Sequence, residues 1–145
     1  MKKTILMLLC VAASSLPSGA KAQVGRTYKE GPVTAVTYLK VEYGRFDEYV
    51  EWLTATWKPT MEAKKKAGLI LDYKVFSARP KSPTEPNVLF MIAYPNMAGL
   101  DRGAEEEAVA EKVIGSAVAQ NKARVGRSEY RTHLGSELLR ELILR

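Results

Sequence analysis

Cysteine and histidine are almost missing from this chain of 145 residues, which has one of each, Cys10 and His133. A lone cysteine and a lone histidine supply no cluster for a structural zinc or a two-histidine metal site. The zinc-peptidase pattern H-E-x-x-H, the phosphate-binding P-loop and the dinucleotide-binding glycine pattern are absent too. No G-x-S-x-G exists to present a nucleophilic serine, so a triad through His133 would have to gather its serine and acid from elsewhere. Long hydrophobic runs are lacking as well. The longest lies at the amino end, from Ile5 to Ala13, and is too short for the ~20 residues that cross a bilayer.

That short run is flanked by Lys2 and Lys3 on one side and by Pro17, Gly19 and Ala20-Lys21-Ala22 on the other. Basic start, apolar middle and small-x-small end are the pattern of a secretory signal peptide, with cleavage expected after Ala22. A periplasmic or secreted domain with no membrane segment is expected. Cys10 leaves with the leader, so the exported domain is held by its core alone, without disulfides. The formal charge of +6 falls by three with Lys2, Lys3 and Lys21. The remainder is too mild to point to nucleic acid.

Residues 23–32 are polar and carry Gly25, Gly31 and Pro32, which predicts a flexible lead. Val33 to Val41 then alternates, with Val33, Ala35, Leu39 and Val41 on one side, and is expected to be a strand. From Arg45 the period becomes helical, with Phe46, Tyr49, Val50, Leu53, Trp57 and Met61 along one stripe. Asp47 and Glu48 suit the positive end of the helix dipole and Lys64 to Lys66 the negative end. Pro59 falls inside the pattern, and its missing amide predicts a kink or a break near residues 55–58.

Leu69 to Ser77 alternates again, and a loop with Pro80, Pro83 and Pro86 follows. Val88 to Tyr94, apolar throughout, reads as a central strand buried on both faces. Asn96 is a cap candidate. A helix is expected from about Ala104 to Arg124, with Glu105 to Glu107 early and Lys122 and Arg124 late. Arg127 to His133 reads as further helical turns. The closing SELLRELILR fits a helix capped by Ser136, and it also alternates as a strand would. Two helices cover only one face of such a sheet. A second copy of the chain is the economical cover for the other.

The segments VTYLKVEYGRFDEYVEWL, KAGLILDYKVFS and NVLFMIAYPNM resemble the dimeric α+β barrel proteins. This is a ferredoxin-like superfamily that includes antibiotic-biosynthesis-type monooxygenases and ethyl tert-butyl ether degradation (EthD) type proteins, and uncharacterised exported bacterial members resemble the chain more closely. The resemblance covers residues 33–145 as a single domain. It implies an α+β fold of order β-α-β-β-α-β with an antiparallel sheet, a homodimer, and residues 136–144 as the fourth strand. It implies a cavity between sheet and helices for a small apolar or aromatic ligand. It assigns no catalytic residue.

The expected function is small-ligand binding without a cofactor or metal. The alternative is a cofactor-independent, monooxygenase-like enzyme acting on an aromatic or enolisable substrate. Tyr38, Tyr49, Trp57, Tyr73 and Tyr94 are the candidate ligand-binding aromatics, since an apolar ring with a polar tip both packs and orients a ligand. Phe46, Tyr49 and Trp57 share a helix stripe and serve equally as packing residues. His133 joins the candidates as a base or haem ligand, against its reading as a partly exposed helix-end residue.

Overall fold

The computed structural model describes residues 26–145, so the leader expected over residues 1–22 lies outside the described residues. The chain runs β1 (Tyr28–Val41), α1 (Phe46–Trp52), a π-turn (Leu53–Trp57), α2 (Lys58–Lys66), β2 (Asp72–Ser77) and β3 (Val88–Tyr94). A 3-10 turn (Met97–Asp101), α3 (Gly103–Ile114), α4 (Ala117–Ser128) and β4 (Arg131–Leu144) complete it. The strands form one antiparallel sheet in the order β2-β3-β1-β4. This is the ferredoxin-like arrangement, with β3 inserted between β1 and β2.

Paired residues share a face of the sheet, so the register sorts the side chains. Leu39, Val41, Val88 and Phe90 meet Tyr49 and Leu53 of the helical layer and Tyr130, forming one buried cluster. Met61, Leu69, Ile70 and Tyr94 form a second, and Trp57 packs against both. On the other face, Phe76 lies opposite Leu89, Met91 opposite Val36, and Thr34 between Ala93 and Leu139. No helix covers that face: Phe76 and Leu139 remain 44% and 45% exposed.

The structure corrects several expectations. β1 starts at Tyr28 and takes in part of the segment expected to be a flexible lead, because Tyr28 to Glu30 pair with Leu142 to Leu144 of β4. The register slips between Glu30 and Val33, a bulge that accommodates Pro32 without a ladder donor. Gly31 leaves room there for the Glu141 side chain, whose Cβ a Cβ at residue 31 would meet at 3.0 Å. β2 begins only at Asp72; Leu69 and Ile70 are buried without being strand.

Pro59 does not end its helix. The Lys58 amide donates to Leu53 O, a five-residue closure, and this widened turn absorbs the bond that Pro59 cannot make. The helix expected over residues 104–124 is two helices, divided at Gly115 (φ 89°) with Ser116 capping α4 through its side chain. Only Ala110 of α3 and no residue of α4 is buried, and Val118 is 79% exposed. The small apolar positions therefore do not cover the sheet as the sequence suggested. His133 is an exposed residue of β4, not the end of a helix.

Candidate functional site

The π-turn sets out the most apolar cavity. An extra residue in one helical turn re-aims the side chains that follow, and three of the turn's five residues, Leu53, Thr54 and Trp57, face a space of about 400 Å³ between the helix and the β2 edge. Phe46 and Val50 of α1 and Tyr73, Val75 and Val88 of the sheet continue the wall. Lys58, at the start of α2, is the only charged group lining it. β2 is an edge strand and is short, so the cavity opens sideways. Its mouth is apolar, with Val50 and Val75 each 40% exposed.

A chain of rings runs from the cavity wall into the core. Tyr73 meets Trp57 edge-on at 5.2 Å between centroids, and Trp57 stacks on Phe90 at 4.8 Å. Phe90 continues to Tyr49 at 6.4 Å and Tyr49 to Trp52 at 5.4 Å. Such pairs are worth about 0.5–1.5 kcal/mol each beyond their area burial, enough to hold Trp57 as a fixed wall. The Tyr73 hydroxyl donates to Glu62 Oε1. That bond, with burial adding to it, pushes the phenol up to about 12. At neutral pH Tyr73 is therefore a neutral, anchored ring and no base.

The six sequence candidates do not converge. Trp57 and Tyr73 share the apolar cavity, with Tyr49 fully buried behind it. Tyr94 faces a separate, polar cavity between α2 and α3 that also meets Lys64 and Glu106, whose charged ends lie 2.5 Å apart. Burial first, and then the Glu106 carboxylate, pushes the Tyr94 phenol up to about 12. Tyr38 lies on the uncovered face, where its hydroxyl donates to Glu137 Oε1 across the β1–β4 pair. His133 Nε2 sits 3.0 Å from Ser136 Oγ, which reaches Thr37 Oγ1 at 3.3 Å. That relay ends on a hydroxyl with no carboxylate, so it is not a triad.

Leu53, Val75 and Val88 line the cavity and were read from sequence only as core or strand positions. An apolar side chain beside a void has the same pattern as one beside a neighbour. The proline inside the helix was the usable signal, since it marks where the turn widens. Among the described residues no group of three or more His, Cys, Asp or Glu side chains is placed to hold a metal ion.

No family model matches the chain, and no curated protein matches it in sequence. Solved structures do match its fold. A dimeric ferredoxin-like protein from an uncultured marine organism aligns with a TM-score of 0.52 at 13% identity, over 81% of this chain and 98% of that one. A protein of Shewanella oneidensis gives 0.51 at 15% identity, over 80% and 98%. A second dimeric ferredoxin-like protein from an uncultured marine organism gives 0.50 at 8% identity, over 81% and 90%. The chain thus has the fold of the dimeric ferredoxin-like proteins.

Proposed function

We propose that the protein is an exported homodimer that binds a small, uncharged apolar or aromatic molecule in the cavity beneath the π-turn. One observation carries the ligand reading: a space of about 400 Å³ walled almost wholly by apolar side chains and opening through an apolar mouth. A ligand that fills it gains about 25 cal/mol for each Å² taken out of water. Thr54 and the Tyr73 ring edge offer orientation, and no ionised group of the wall except Lys58 must be desolvated. The homodimer is supported by the uncovered apolar sheet face and by the dimeric proteins that share the fold.

The neutral dye N-phenyl-1-naphthylamine tests the cavity. We expect saturable binding by the wild type and about tenfold or greater weakening by Thr54→Trp, which fills the mouth from an exposed position. Equal binding by the two proteins would remove the cavity as the site. Mass spectrometry of protein taken from the envelope fraction tests the rest. Export and pairing require a chain that starts at Gln23 and twice its mass under native conditions; an intact leader or a monomer overturns the corresponding claim.

A further inference from the structure

Around Tyr49, three polar atoms are closed off from water without a hydrogen-bond partner of good geometry. The Tyr49 hydroxyl is buried and unpartnered, as are Nε of Arg127 and Nε of Arg131. Arg140 Nε is also unpartnered, but its guanidinium bonds Glu30 through Nη1. Arg127 and Arg131 have no such relief. The ion pairs among the described residues use Arg26, Arg45, Lys64, Lys65, Arg102 and Arg140, and neither Arg127 nor Arg131 is among them.

The geometry holds the donors in place. The Arg127 guanidinium lies 4.0 Å from the Trp52 ring centroid, Trp52 stacks on Tyr49 at 5.4 Å, and the Arg131 guanidinium is 6.0 Å from the Tyr49 centroid. Burial, followed by the neighbouring Arg131 charge, pulls Arg127 below its ordinary value. Burial pushes the Tyr49 phenol up, and the hydrogen-bonding approach and charge of Arg131, followed by the charge of Arg127, draw it back, so both cations stand near the hydroxyl and Arg131 is the one that approaches its oxygen. Two half-buried guanidiniums outside every ion pair among the described residues, beside a hydroxyl that can still donate, make a positive corner that an anion satisfies. Beside it a cavity of about 290 Å³ is walled by Arg127 and Arg124, with Trp52, Thr56, Ile114 and Gln120.

We propose that this corner binds the carboxylate of a small organic acid. The guanidinium forks of Arg127 and Arg131 take the oxygens, Tyr49 Oη donates a third bond, and the apolar body of the acid lies along Trp52 in the adjoining cavity. The half-apolar wall favours an organic carboxylate over inorganic phosphate. The site adjoins the cavity beneath the π-turn across the Trp57 ring, which lines both, and the proposal does not depend on the binding of a neutral ligand there.

Benzoate, its neutral isostere benzamide and inorganic phosphate are the probes, titrated into the full protein by calorimetry. The chain has two tryptophans, Trp52 and Trp57, and both line the adjoining cavity, so the fluorescence of the unaltered protein reports its occupancy beside the calorimetry. We expect benzoate to saturate, quench that fluorescence, and bind about tenfold or more tighter than benzamide. Arg127→Gln and Arg131→Gln should each weaken benzoate about tenfold or more, with Arg127→Lys between them and the wild type because it keeps the charge and loses the fork. Benzoate and benzamide binding alike, or an Arg127→Gln protein that binds as the wild type does, overturns the proposal. Phosphate binding as tightly as benzoate overturns the carboxylate assignment. The wild-type comparison of benzoate with benzamide decides the matter even where a variant fails to fold.

Discussion

Tyrosine behaves differently at each of its sites in this fold, and the environment sets the behaviour. Tyr38 and Tyr73 each donate to a glutamate. Tyr49 is sealed among rings and guanidiniums, and Tyr94 is buried beside Glu106. The raised Tyr94 value has a consequence for stability. A phenol held at about 12 when folded and near 10 when unfolded stabilises the fold fully below about pH 10 and ceases to do so as pH rises through about 12. Urea unfolding should therefore show the wild type losing more stability than Tyr94→Phe between about pH 9 and about pH 12, with lysine titration common to both. Parallel losses would show that the buried phenol contributes nothing to the alkaline limit.

Elements are bounded here by single residues whose backbone chemistry is legible once the element is seen. Pro59 widens a turn without ending the helix, because a five-residue closure from Lys58 to Leu53 carries the chain past the missing amide. Gly115 ends α3 at φ 89° and ψ −176°, a region open essentially to glycine alone. A Cβ at Gly115 would touch nothing within 4 Å, so the cost of Gly115→Ala is backbone strain by itself. Equilibrium denaturation should show a loss of about 1–3 kcal/mol; an unchanged midpoint would mean that the α3–α4 joint relaxes freely. The same glycine, followed by Ser116, was a stop-and-start signal in the sequence, and an unbroken run of small and charged residues around it concealed the break.

The whole molecule has two layers, a sheet and its helices, and the second face of the sheet is bare among the described residues. Helices cover one face of the sheet, while Phe76 and Leu139 on the other keep almost half their surface in water. A second copy packed face to face would bury them. Leu139→Glu places a charge in the centre of that contact and should shift the protein to monomer in light scattering. Val118→Glu, on the exposed side of α4, should leave the dimer intact. Two variants that stay equally dimeric would move the contact off this face.

Periodicity by itself determined the strand Val88–Tyr94, the start of the helix at Phe46, the cap at Asn96 and the order of elements up to α3, because each depends on neighbours a few residues apart. The lack of a second histidine or cysteine likewise settled which metal clusters the chain cannot build. Only the tertiary structure decided the rest. Residues 136–144 favour helix by composition and also alternate as a strand does; the family resemblance implied strand, and pairing with β1 is what makes it one. Tyr28 to Glu30 become strand because Leu142 to Leu144 lie beside them, a partnership across more than a hundred residues that no local pattern encodes. Tyr38 and Trp57 looked alike as amphipathic rings, and the pleat places one on the open sheet face while the π-turn places the other in a cavity. The convergence of Tyr49, Arg127 and Arg131 is of the same kind. Their unmet hydrogen bonds exist only once α1, α4 and β4 have closed water away from them, and desolvation is a property of the packed molecule and not of any segment.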